Sequence, residues 1–403
     1  MLSVMRRRHF IFSFLLAVLL CPTSWAQAQP MSAAFLRDPP AAGPQPPEVA
    51  ARSFLLWDVS SQQMLAVRQA DQTVDPAALT KLMTAYLVFQ AVSQGKLDVQ
   101  KELPMSQQAW QAAVSNGARP LVSIGGRVKV DDLIKALAVT GAQDAAVVLA
   151  EAVGGSSSNF VGMMNRQAQV LGMKRTHFQN AEGVKAAGQV STARELGWLA
   201  VRLLGDYPKA QPYFAARELV LGANRWPSLN MLLIRDPSVD GLLTSYAEGG
   251  GYGQIASAKQ TTPAGVRRLM SVVLGAGSPD ARANESQKLL NWGYSAFDAV
   301  KLFEAAQPVS TVTVWKGGAS AVSIGTERPL VLAVPHGQAS QIKTVLVRND
   351  PLLAPLRKGQ TVATLKVTLA GQPWQEVPLQ ALDDVPTAGW LGRTWDAFRL
   401  GIK

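Results

Sequence analysis

The chain has 403 residues, is 48% hydrophobic and 17% charged, and carries a formal net charge of +11. That balance excludes a disordered chain and fits a globular protein of about two or three domains. One cysteine, Cys21, leaves no basis for an internal disulfide framework.

The first 28 residues read as a secretory signal. Arg6-Arg7-Arg8 forms a positive start, Phe10 to Leu20 an apolar run, and Ala26-Gln27-Ala28 a small-residue cleavage site. The apolar run is too short to read as a membrane span. Cleavage would remove Cys21 and three arginines, lowering the charge from +11 to +8. A basic exported chain suits anionic surroundings such as lipid headgroups or cell-wall polymer, whereas nothing in the sequence points to nucleic acid. Residues 29–48, rich in Pro and Ala, are expected to form a flexible lead-in.

Phe54-Leu55-Leu56-Trp57 and Met64-Leu65-Ala66-Val67 flank a turn and predict a hairpin. Asp75-Pro76-Ala77-Ala78-Leu79-Thr80-Lys81 follows. Asp75 is suited to cap a helix, Pro76 to open it and Gly95 to end it. Leu82, Met83, Tyr86, Leu87, Val88 and Val92 make that helix apolar almost all round, the pattern of a buried central helix. Lys81 breaks the pattern, and a buried ammonium needs a partner or a purpose. Helical spacing recurs over residues 131–139, 144–153, 159–171 and 192–204, and again from Glu285 to Trp292. Gly251 to Ala258 and Leu269 to Leu274 read as strands. Strands at both ends with helices between them predict an α+β layer arrangement over residues 49–298.

From about residue 299 the period changes to two. Thr311 to Trp315, Leu330 to Val334, Ile342 to Val347 and Val362 to Leu369 alternate between Gly and Pro turns, predicting a small β-sandwich over residues 299–387. The last segment, 388–403, places Leu391, Trp395, Phe398 and Ile402 on one helical face, with Arg393, Asp396, Arg399 and Lys403 around the other. Such an amphipathic tail suits a membrane interface, or else docks on its own domain.

The stretch around Lys81 resembles the start of the active-site helix in the D-alanyl-D-alanine carboxypeptidases, the low-molecular-mass penicillin-binding proteins. There Asp-Pro-Ala is followed by Ser-Leu-Thr-Lys, a serine nucleophile and the lysine that helps remove its proton. Further likeness lies in Gly172-Met173, Thr176 to Asn180, Ser191 to Arg194, Asn284-Glu285-Ser286, Leu289-Leu290 and Trp292-Gly293. The resemblance implies a penicillin-recognising α+β domain, a β-sandwich stalk and a tail on the outer face of the cytoplasmic membrane. It also implies three active-site motifs, and all three are altered here. The serine position is Ala78, while Lys81 is retained. The second motif, Ser-x-Asn, falls on Gly141-Ala142-Gln143, without the hydroxyl and with a longer amide. The third, Lys-Thr-Gly, falls on Leu243-Thr244-Ser245, where only Thr244 is kept and Glu248 adds a nearby negative charge.

Acyl transfer through serine needs nucleophile, base and oriented donors together. The expectation is therefore an exported, catalytically inactive homologue acting by weak, non-covalent binding of peptidoglycan or its stem peptides. A membrane surface and protein partners complete the expected contacts, with no cofactor. The alternative is an active carboxypeptidase with rearranged groups, using Thr140 or Thr80. Thr80 lies about 200° round the helix from Ala78, which counts against it. Ser93–Lys96 and Ser340–Lys343 repeat the Ser-x-x-Lys spacing, but one crosses the helix stop and the other lies in the β-domain. His9, His177 and His336 are too scattered for a catalytic metal site, and His177 is expected to be a packed loop residue.

Overall fold

The computed structural model describes residues 31–348, 350–390 and 396. The signal segment and nearly all of the expected amphipathic tail lie outside these residues. A central antiparallel sheet is built from β1 (Ser53–Asp58), β2 (Gln63–Arg68), β3 (Val239–Gly241), β4 (Thr244–Ala247), β5 (Gly251–Thr262) and β6 (Gly265–Ala276). The strand order is β4-β5-β6-β1-β2, with β3 also paired to β5, so β4 is an outer strand. The β1–β2 hairpin forms as its apolar runs predict, and β5 and β6 run longer than the sequence pattern suggested.

The helices are α1 (Ala33–Leu36), α2 (Lys81–Ser93), α3 (Gln107–Val114), α4 (Val130–Val139), α5 (Gln143–Gly154), α6 (Ser157–Val170), α7 (Ala193–Asp206) and α8 (Pro279–Ala296), besides short turns. Helix α2 is buried from Lys81 to Phe89, as its all-round apolar pattern requires. One apolar cluster joins it to α4, α5, α6 and α7 and to the inner sheet residues Leu55, Ile255 and Val272. The opposite sheet face, with Leu56, Ala256 and Leu269, packs under α8.

Residues 31–48 correct an expectation. They are not a flexible lead-in but part of the domain. Phe35 is fully buried, with its ring 4.5 Å from that of Trp57 and 5.2 Å from that of Trp198. Buried Arg194 donates to the Phe35 carbonyl and to the carboxylates of Asp38 and Asp71. A single buried aromatic in a Pro/Ala stretch has no period to announce it, yet burying one aromatic ring contributes about 2–3 kcal/mol.

The C-terminal β-domain holds β7 (Phe297–Phe303), β8 (Ser310–Thr313), β9 (Ala321–Gly325), β10 (Leu330–Pro335), β11 (Ile342–Val347), β12 (Thr361–Leu369) and β13 (Gln372–Ala381). A five-stranded sheet ordered β8-β9-β13-β12-β11 faces the β7–β10 pair. The apolar cluster beneath α8 continues into this domain through Phe297, Leu332 and Val334. Polar bonds reinforce the junction. Gln63 exchanges two hydrogen bonds with the backbone of Ala333, at 2.6 and 3.2 Å, and the Trp374 indole donates to the Ala333 carbonyl. Arg267 donates to Asp58 at 2.8 Å and to the Phe297 carbonyl at 2.7 Å. Of the tail, Asp396 accepts a hydrogen bond from the backbone N–H of Lys316.

Candidate functional site

The site forms where α2 begins. Asp75 Oδ1 accepts a hydrogen bond from the Ala77 N–H at 2.9 Å and so closes a turn ahead of the helix, whereas the residues at the cap positions, Pro76 and Thr80, make no side-chain capping bond. Residues Ala77–Thr80 wind as a tight 3-10 turn before the α-helix starts at Lys81. Ala78 is half-buried in that turn, while Thr80 is wholly buried and its hydroxyl finds no partner.

Lys81 is 1% exposed and donates to the backbone carbonyl of Glu182. Burial pulls its pKa down from 10.5 to about 8, and the neighbouring Glu182 carboxylate opposes that shift. Burial in turn raises the Glu182 carboxyl, which Lys81 partly offsets. One turn on, the Thr84 hydroxyl donates to the Ala181 carbonyl at 2.6 Å. Two side chains at i and i+3 thus hold two successive carbonyls of one loop.

That loop is fixed from within. Asn180 Oδ1 accepts from the N–H groups of Gly183 and Val184, and its amide donates to the Val184 carbonyl. Gly183 has φ +73°, and a Cβ there would stand 2.2 Å from the Ala77 carbonyl oxygen and 3.1 Å from Ala78 Cα. Only glycine permits this approach to the helix start. Beyond it, exposed Lys185 pairs with Glu248 at 2.9 Å, which raises the lysine pKa and lowers that of the glutamate.

Helix α5, begun by Gln143, packs against α2. Gly141 adopts φ +64°, with Leu229 Cδ1 3.7 Å from where a Cβ would lie. The Oε1 of Gln143 is buried and accepts no hydrogen bond. Thr140 gives its hydroxyl to the Ala136 carbonyl at 2.8 Å, the usual back-bond of a helix-ending threonine. Next to Gln143, buried Asp144 accepts from the Leu121 N–H at 2.7 Å, and desolvation raises its pKa.

Strand β4 packs beside the Ala77–Thr80 turn. Leu243, just before it, is 4% exposed and joins the main apolar cluster. Thr244 pairs with Gln254 and Ser245 with Gly253 across the β4–β5 ladder. A Cβ on Gly253 would fall 2.6 Å from Ser245 Oγ, so the serine side chain occupies the space that glycine vacates. The structure therefore brings the three altered segments, around Ala78 and Lys81, Gly141 and Gln143, and Leu243 to Ser245, onto adjoining elements.

Several contributors escaped the sequence reading. From α8, buried Arg282 donates to the Ser245 carbonyl at 2.9 Å and to the Leu229 carbonyl at 3.3 Å. Its guanidinium sits over the Tyr252 ring, and desolvation lowers its pKa. Gln254 donates to Asn230 at 2.8 Å, both buried. No local pattern marks these residues, because each acts on a segment distant in sequence. His177 is exposed rather than packed, and its backbone pairs with Val190. Among the described residues no three His, Cys, Asp or Glu side chains gather to hold a metal ion.

The family profile described as D-alanyl-D-alanine carboxypeptidase matches residues 41–278. The chain belongs to that family. A second profile, penicillin-binding protein 5, C-terminal domain, matches residues 297–387. The chain is 36% identical to the D-alanyl-D-alanine carboxypeptidase DacC of Escherichia coli, over 94% of this chain and 92% of that one. It is 33% identical to DacA of the same organism, over 89% of each. Penicillin-binding protein 5 from Haemophilus influenzae superposes with a TM-score of 0.79 at 32% identity, covering 85% of this chain and all of that one. The carboxypeptidase fold and its β-domain are thus both present. No helix among the described residues is long and apolar enough to cross a membrane.

Proposed function

We propose that this chain is a catalytically inactive member of the D-alanyl-D-alanine carboxypeptidases, exported to the periplasm, that binds peptidoglycan peptides without covalent chemistry. The observation that carries this reading is the partner of Lys81. Where the family resemblance puts a serine hydroxyl there is the methyl group of Ala78, and Lys81 donates to the Glu182 carbonyl instead. Removing the nucleophile of such a site alone costs several orders of magnitude in rate. The second- and third-motif positions add to the loss, with Gly141 and Gln143 in place of Ser-x-Asn and Leu243 and Ser245 flanking Thr244.

The rearranged-chemistry alternative has little to work with. Thr140 spends its hydroxyl on Ala136, and Thr80 is sealed in the core. What the cleft keeps is a binding geometry. Among the described residues β4 is an outermost strand of the sheet, and an extended peptide can add along its backbone as a further strand. The basic tail, with Trp395 and Phe398, is assigned to the membrane surface.

Incubating the purified mature chain with a peptide ending in D-alanyl-D-alanine tests this. The expected result is no D-alanine above the buffer rate, with peptide retained by equilibrium dialysis. Steady release of D-alanine, abolished by Lys81→Ala, would establish the active alternative instead.

A further inference from the structure

We infer that the cleft takes a peptide through a neutral stretch, internal or amide-capped, and discriminates against a free C-terminal carboxylate, with Leu243 and the Lys185–Glu248 pair setting that preference. This rests on the reading of the cleft as a non-covalent peptide site.

A carboxylate leaving water for a cleft must meet a cation that is free to receive it. Among the described residues, the four cations on the elements that frame this one are already engaged. Lys81 is held under the Glu182 loop by a backbone carbonyl, with the Glu182 carboxylate close by. Lys185 is paired with Glu248 and also feels the charge of Asp75. Arg52 donates to the Gly249 carbonyl, and Arg282 lies behind β4 on the carbonyls of Ser245 and Leu229. Where the family resemblance puts the lysine of the third motif stands Leu243, buried in the main apolar cluster.

Three carboxylates, Asp75, Glu182 and Glu248, stand around the same opening, and like charge repels. What the opening does offer is apolar and neutral. Leu229 and Tyr246 are 52% and 56% exposed at its margins. The β4 edge supplies backbone hydrogen bonds that do not depend on the charge of the bound terminus.

Calorimetric titration of the mature chain with two peptides of one sequence decides the matter, one a free acid and the other its C-terminal amide. The amide is expected to bind at least about tenfold more tightly at low salt, narrowing as salt is added. Leu243→Lys is expected to shift the ratio toward the acid. Should that buried substitution prevent folding, exposed Glu248→Gln frees Lys185 and is expected to shift the ratio in the same direction by several-fold. Equal or tighter binding of the free acid by the unaltered chain would overturn this inference and leave a peptide site standing. Binding of neither peptide would overturn the peptide site and this inference with it.

Discussion

The cleft and the junction between the two domains make an instructive contrast, because both bury charged and polar side chains. At the junction those groups are joined to one another. Asp58 and Arg267, 0% and 2% exposed at the side chain, pair at 2.8 Å, and Gln63 closes a two-point bond with Ala333. In the cleft the buried cation Lys81 has a carbonyl for a partner, Gln143 Oε1 has none, and Leu243 is apolar. Polar groups at the junction are paired across elements, although one Arg267 nitrogen, Nη2, is buried without a partner. Polar groups are incomplete at the positions where the family resemblance implies chemistry. Structural and chemical demands on one fold are thus separable.

The sharpest way to break this comparison is at the junction. Asp58→Ala leaves the Arg267 guanidinium buried without its carboxylate, and the expected loss is about 3–5 kcal/mol of unfolding free energy by urea titration. A loss under about 1 kcal/mol would show the junction to be as dispensable as the motif positions. Phe35→Ala asks whether residues 31–48 belong to the domain. Emptying a fully buried ring site between Trp57 and Trp198 is expected to cost about 3–5 kcal/mol. An unchanged denaturant midpoint would restore the flexible lead-in.

Lys81 probes the cleft side through pH. Its folded pKa, about 8, lies below the ordinary 10.5, so between those values the unfolded chain binds the proton more tightly. Stability should therefore rise as pH climbs from about 8 toward 10.5, while below pH 8 the full cost stands, on the order of 3 kcal/mol. Lys81→Met should flatten that rise and stabilise the chain near pH 7 by somewhat less, because the hydrogen bond to Glu182 goes with it. A profile identical in the two proteins would mean that Lys81 does not titrate out of the core.

Much of the architecture was legible beforehand. The period-two runs gave the β-domain, the all-round apolar pattern gave α2, and the Asp75-Pro76 pair marked its start. The altered residues at 78, 141, 143, 243 and 245 could be read directly, since identity alone decides whether a hydroxyl or ammonium exists. What stayed hidden depends on segments meeting across the fold. The carbonyl that receives Lys81 is 101 residues away in sequence, and Arg282 reaches Ser245 across 37. Gly183 shows no signal in its own neighbourhood, because its necessity comes from the Ala77 carbonyl above it. Phe35 was missed for the same reason, as its partners Trp57 and Trp198 are supplied by a strand and a helix far downstream.

The central claim is that no acyl bond forms in this cleft. Intact-mass spectrometry of the mature chain after prolonged exposure to benzylpenicillin measures it most directly, with Ala78→Ser run beside it. The account predicts an unaltered mass for the unmodified chain. A stoichiometric gain of one penicilloyl group, mapped to any residue lining the groove between α2 and β4, would contradict it.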